Sequence, residues 1–534
     1  MALQSNKGVI FILLSKFGEC FSFFGMKTIL VLYIRNKLNY SDDVSTKCVH
    51  IFLSFVYFFP LIGAIIADSW LGKFKTIFFL SIVHAFGGVI ISFGAIPTLN
   101  LPQEEITIFG MLLIMVGGGM RSCMASFGGD QFKVPKEATA LVTFFSDFYF
   151  IINAGAFLSN LVTPTLRKNV HCFGQEDCYP LAFGVSAILM VVSIVIFSLG
   201  RSFYTVAKPT GNMVVLVSKC ISNAFVTKFK DRRTVARSYW LEYAEPKYGR
   251  TLVRDVKILL QILVLYLPLP FFWALFHQKS SRWTFQATRM NGTIGSINIK
   301  PDQMQVINPL LILAFIPLFN YIIYPVLSKI GIKRPLQKLT IGGILAAVAF
   351  MISGCIELKL ESLDPVAPKV GQAELTNLCS QNFTEYHETP GNSVHMLWQV
   401  PQYVIMTAGE VMFSVTAHFF PCGLEFSYSQ APVSMKSVLQ ACWLLTIAVG
   451  NAIVVFLTSL KFFESQAIEF FFSAVLMIID MGIFIFLAMH YKYVKYSEDK
   501  TPNEETPPPD SYNIPMEQKP NHNKDGITNK AFEE

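Results

Sequence analysis

The chain has 534 residues and a net charge of +7, yet only 15% of it is charged, 52% is hydrophobic and the mean hydropathy is +0.46. Those values exclude a soluble globular protein and predict an all-α protein embedded in a bilayer. The cationic excess matters more for where it falls than for its size, and no nucleic-acid partner is expected.

The first apolar stretch, Val9 to Ile34, is too long for the core of a cleavable signal peptide and is expected to stay as a helix. Eleven further stretches of about 20 residues follow it. They lie at 48–68, 76–96, 106–125, 140–164, 179–200, 257–277, 306–328, 336–356, 396–430, 435–458 and 467–490. An even count of twelve spans puts both termini on one side. Twelve Lys or Arg residues between Arg201 and Lys257, and Lys329, Lys333, Arg334 and Lys338 further on, mark that side as cytoplasmic. Three Asn-x-Ser/Thr sequons, at Asn39, Asn291 and Asn382, all fall on loops that this topology sends outward, so all three are expected to be glycosylated. The chain thus divides into a six-helix half at 1–200, a basic cytoplasmic linker at 201–256 and a second half at 257–490. An outer loop at 357–394 interrupts the second half, and a polar tail at 491–534 is expected to be disordered. The linker, with Trp240 and Tyr243, has the composition of short interfacial helices. Cys172 and Cys178 share a short outer loop, where they are either a disulfide or two free thiols.

Ionisable groups inside apolar spans are costly to bury, so they mark where chemistry is to be sought. In the first span Lys16, Glu19, Cys20, Phe23 and Lys27 fall on one helical stripe. That stripe either faces a wet cavity or holds a Lys16–Glu19 pair that merely neutralises itself. His50 and Tyr57 share a face of the second span, Arg121 follows three glycines, and Tyr149 and Asn153 are one turn apart. Trp273 and His277 stand one turn apart after Pro268-Leu-Pro270, and Glu410 and Glu425 lie in the tenth span. Cations in one half and a carboxylate in the other suit a zwitterion such as an amino acid or short peptide. Nothing in the sequence forms a nucleotide loop, metal cluster or nucleophile motif, so neither enzyme activity nor a cofactor or metal is expected.

Residues 63–76, an apolar helix end running through Ala67-Asp68 into Trp70, Gly72, Lys73 and Lys75, resemble the inter-helix signature of major-facilitator transporters. With Phe148 to Gly155, Phe127 to Phe132, Phe271 to Phe276, Ser281 to Thr284 and Glu425 to Pro432, the chain resembles the proton-coupled oligopeptide transporters from about residue 10 to 490. The resemblance implies a major-facilitator fold of two six-helix halves and import of di- and tripeptides with protons by alternating access. It implies that Glu425, Asn153 and Asn308 meet the peptide amino terminus and that Lys27 and Arg121 meet its carboxylate. Tyr149, Trp273 and Trp443 would line the peptide pocket, while Lys16, Glu19, His50 and Tyr57 would handle protons. It also implies a monomer in the plasma membrane rather than the lysosome. Several positions depart from the family pattern. Lys16 and Cys20 replace a glutamate and an arginine, Gln261 and His277 replace an arginine and an aspartate, and Ala417 to Cys422 are extra. The extra residues are expected to be a gene-model artefact. The departures leave a second reading, a transport-defective peptide sensor or a peptide carrier with altered or lost proton coupling.

Overall fold

In lipid a spanning segment satisfies its backbone by helical hydrogen bonds along its own length. The computed structural model obeys that rule and describes residues 7–491 except 134–135, 207–208, 210, 212, 232–236, 238, 364–392, 415–434 and 461. Among the described residues ten helices are long and apolar enough to cross a membrane, and a bent pair makes an eleventh. The first half comprises α1 (Lys7–Asn36), α2 (Asp42–Ile66), α3 (Lys73–Gly94), α4 (Gln103–Gly117) continued by α5 (Met120–Gly129), α6 (Ala138–Asn169) and α7 (Tyr179–Leu199). After the linker helix α8 (Met213–Asp231) come α9 (Arg250–Tyr266), α10 (Leu269–His277), α11 (Arg282–Thr288), α12 (Ile307–Leu318) and α13 (Tyr324–Lys329). The last are α14 (Pro335–Leu363), α15 (Val400–Ser414), α16 (Lys436–Leu460) and α17 (Gln466–His490). Glu425, the extra residues Ala417 to Cys422, Asn382 and the tail beyond 491 lie outside the described residues.

The seventh span corrects the sequence reading, which ended it at residue 277. It is a pair of helices bent by 46°, and helical turns continue past His277 to Thr288. Pro268 and Pro270 remove two backbone donors at the break, which explains the bend. The continuation brings Lys279, Ser281 and Arg282 into the protein interior.

Lipid offers no hydrophobic drive for helix association, so close approach relies on small residues. A Cβ on Gly63 of α2 would fall 2.1 Å from the Gly119 carbonyl oxygen, and one on Gly450 of α16 would fall 2.6 Å from that of Pro270. Within the first half α1 packs on α6 and α7. Within the second, α14 packs on α15 and α17. The halves meet where α2 lies along α16 and α6 touches α12.

After the second span Lys73 Nζ donates to Asp130 Oδ2 at 2.6 Å and Gly211 N donates to the Asp68 carbonyl at 3.2 Å. The linker's α8 buries Val217, Cys220 and Ala224 with Leu241 and Ala244 against the second-half core, and burial pushes the Cys220 thiol up to about 11. Its other side exposes Phe225, Val226 and Phe229. Between the fifth and sixth spans Cys172 and Cys178 form a disulfide. Asn291 opens a small hairpin, Thr293–Ile294 with Ile297–Asn298, and Asn39 is exposed in a left-handed conformation.

Candidate functional site

The stripe on α1 faces inward, and each of its charges is buried. Lys16 Nζ donates to Glu19 Oε2 at 2.6 Å, and Arg121 Nε of α5 donates to Glu19 Oε1 at 2.9 Å. Lys16 and Glu19 therefore pair, as the bland reading had it, but a second cation from another helix shares the carboxylate. The Arg121 guanidinium stacks 3.6 Å from the Phe23 ring centroid, and its Nη2 is buried without a partner. Cys20 Sγ donates weakly to Glu19 Oε2 at 3.5 Å and packs against Gly155, where a Cβ would fall 3.0 Å from its own. Lys27 is 5% exposed and makes no hydrogen bond or ion pair among the described residues. It lies within Coulombic reach of Arg121 and of Glu410, on α15 of the other half. A burial this costly without a partner marks a position that awaits an anion.

The second half presents a polar cluster opposite. Asn308 of α12 donates from Nδ2 to Glu410 Oε2 at 2.7 Å and to Thr407 Oγ1 at 3.0 Å. Its Oδ1 accepts from Lys279 Nζ at 2.6 Å. Trp273 meets Trp443 edge-on, with ring centroids 5.9 Å apart, and its indole nitrogen is unpartnered. His277 sits among Tyr57, Trp273 and Phe276 with both ring nitrogens unpartnered. From the first half, Asn153 donates from Nδ2 to the Tyr149 carbonyl at 3.0 Å, and Tyr149 is in electrostatic contact with Glu410. The candidates Lys27, Arg121, Tyr57 and Tyr149 thus converge on Glu410, Asn308 and the two tryptophans across the plane between the halves.

His50 belongs to a different layer. It is fully buried and joins the halves, with Nδ1 2.9 Å from Asn451 Oδ1 and Nε2 2.9 Å from Ser281 Oγ. Asn451 spends Nδ2 on the Ile447 carbonyl at 2.9 Å, so its Oδ1 can only accept and His50 Nδ1 must donate. The neutral imidazole then accepts the Ser281 hydroxyl proton at Nε2. A second proton on the ring would turn Ser281 into an acceptor and leave its hydroxyl the Gln278 carbonyl, 3.4 Å away. The site can therefore hold one proton more or less without orphaning a group.

Further out the halves are locked by pairs that sequence reasoning missed. Arg167 of α6 binds Asp302 with both prongs, Nε to Oδ2 at 2.9 Å and Nη2 to Oδ1 at 3.0 Å, and both residues are buried. Arg282 reaches Asp43 of α2 at 2.8 Å and Glu469 of α17 at 3.1 Å. Asn160 donates to the Gln305 carbonyl at 3.2 Å, and Gln303 to Thr165 Oγ1 at 2.8 Å. These contacts tie the two halves together. The only hint in the sequence was ionic: Arg167, Arg282 and Asp302 stand at the ends of apolar spans, where a charge needs a partner. Among the described residues no group of three or more His, Cys, Asp or Glu is placed to hold a metal.

The profile of the POT family matches residues 74–468. The chain is 39% identical to "Peptide transporter family 1" of Drosophila melanogaster, over 92% of this chain and 88% of that protein. It is 36% identical to "Solute carrier family 15 member 2" of Homo sapiens, over 91% of this chain and 89% of that protein. Its backbone is similar to the crystal structure of the POT family transporter PepTSo, with a TM-score of 0.74 and 28% identity over 91% of this chain and 98% of that one.

Proposed function

Since the chain belongs to the POT family, with a major-facilitator fold of twelve membrane helices, we propose that it imports di- and tripeptides by alternating access, driven by protons. The observation that carries this reading is that buried Lys27 of one half lies within Coulombic reach of Glu410 in the other, with a separate set of contacts joining the halves at Arg167–Asp302 and His50. Lys27 and Arg121 of one half hold free donors for a peptide carboxylate. Glu410, Asn308, Trp273 and Trp443 belong to the other half, and the family resemblance assigns the peptide amino terminus to Glu425, which lies outside the described residues.

On this reading the end that carries Arg167–Asp302 and His50 is the outer one, and there both ring nitrogens of His50 are bonded. Opening the outer seal separates His50 from Asn451 and Ser281 and frees Nε2 to take a proton from the outer medium. Closing it returns the ring to a buried position whose two partners, Asn451 and Ser281, carry no charge, so the proton moves on as the peptide is exposed to the inner side. Lys16 with Arg121 on Glu19 supplies the charge link between that layer and the peptide carboxylate. The protein acts as a monomer in the plasma membrane with both termini in the cytoplasm, and Asn39, Asn291 and Asn382 carry glycans. Uptake of a labelled dipeptide by cells expressing the chain tests the reading. It is expected to saturate and to be blocked by unlabelled dipeptides but not by free amino acids; uptake no greater than in control cells would refute it.

A further inference from the structure

Lys279 is a buried cation that the transport cycle above leaves unused. It is 7% exposed, and its Nζ donates to Asn308 Oδ1 at 2.6 Å while lying 3.4 Å from the Phe276 ring centroid. Both contacts favour the charged ammonium. Glu410 accepts from Asn308 and lies within Coulombic reach of Lys279, but it closes no ion pair with it. Two of the three ammonium hydrogens therefore lack an acceptor among the described residues.

We propose that Lys279 forms a subsite for the side-chain carboxylate of an acidic peptide, so that the cavity selects substrates carrying an aspartate or glutamate. The inference rests on the peptide-transport reading and narrows its substrate class. It follows first from geometry. Lys279 stands at the Asn308 oxygen that a substrate ammonium would otherwise use, so that position repels an amino terminus and attracts an anion. It follows also from charge. Among the described residues the site sets four cations, Lys16, Lys27, Arg121 and Lys279, against two carboxylates, Glu19 and Glu410. A zwitterionic dipeptide brings no net charge, whereas one with an acidic side chain offsets part of that cationic excess. His277 adds nothing to the count on the anionic side, for it is an imidazole where the family pattern has an aspartate.

The test compares saturable uptake of Ala-Glu, Ala-Gln and Ala-Lys at one external pH at which glutamate is ionised. The expected KM for Ala-Glu is lower than that for Ala-Gln by about tenfold, the weight of one charge-assisted hydrogen bond, with Ala-Lys weakest of the three. Lys279→Gln is expected to bring the Ala-Glu to Ala-Gln ratio toward one, and Lys279→Arg to preserve it, with surface expression measured for each. Equal KM values for Ala-Glu and Ala-Gln in the unmodified protein would overturn the subsite while leaving peptide transport standing. So would a ratio untouched in surface-expressed Lys279→Gln. If that variant fails to reach the surface, the ratio in the unmodified protein and in Lys279→Arg decides. No uptake of any of the three would overturn both readings.

Discussion

His50 shows how one side chain can serve as seal and proton site at once. Its tautomer here is dictated by Asn451, whose amide is held by the Ile447 carbonyl, and its second nitrogen faces a hydroxyl that can reverse its role. His50→Gln keeps a donor and an acceptor but cannot take up a proton. It is expected to lower acid-stimulated dipeptide uptake by about tenfold, within the usual range of a coupling between sites, while substrate-driven exchange at constant pH is spared. An unchanged ratio of uptake at acid and neutral pH would remove His50 from the coupling. The neighbouring triad of Lys16, Glu19 and Arg121 explains why the altered first helix is tolerated. Arg121 supplies the guanidinium that Cys20 no longer can, so the carboxylate of Glu19 keeps two cations. The sequence made the stripe legible, because Lys16, Glu19 and Lys27 recur at helical spacing. It did not reveal that Arg121, 102 residues away, would share Glu19.

At the scale of elements, the outer lock is a buried ion pair between α6 and the turn before α12. Such a pair contributes little net stability, but removing one partner strands a charge and costs about 3–5 kcal/mol. Arg167 and Asp302 meet where the two halves join, so on the proposed cycle that cost falls on the state in which this end is shut. Arg167→Asp is expected to abolish most uptake, and Arg167→Asp combined with Asp302→Arg to restore a measurable part of it. If the double variant, present at the surface, transports no better than the single one, the pair is not a lock. The helices themselves were readable from apolar runs, and so was the basic linker. The break in the seventh span was visible at Pro268 and Pro270, but the helical turns beyond it were not, since Gln278, Lys279 and Arg282 look like a loop until a protein interior forms around them. Pairings across the interface stayed hidden for a simple reason. His50 and Asn451 are 401 residues apart, and no local period encodes such a partnership.

For the whole molecule, the two halves meet at Arg167–Asp302 and at His50 with Asn451 and Ser281, side chains separate from the Lys27, Asn308 and Glu410 set. On the proposed cycle that separation lets one set exchange a proton while the other exchanges a peptide, which is what coupling requires. The membrane class and the fold were legible from the first reading; the way the halves meet was not, since a sequence of twelve spans is equally compatible with contact at either end. Purified protein in proteoliposomes, given labelled dipeptide with and without an inward proton gradient, tests the account most directly. The account predicts that the gradient drives accumulation above equilibrium and that a protonophore abolishes it. Peptide entry that stops at equilibrium whatever the gradient would contradict it.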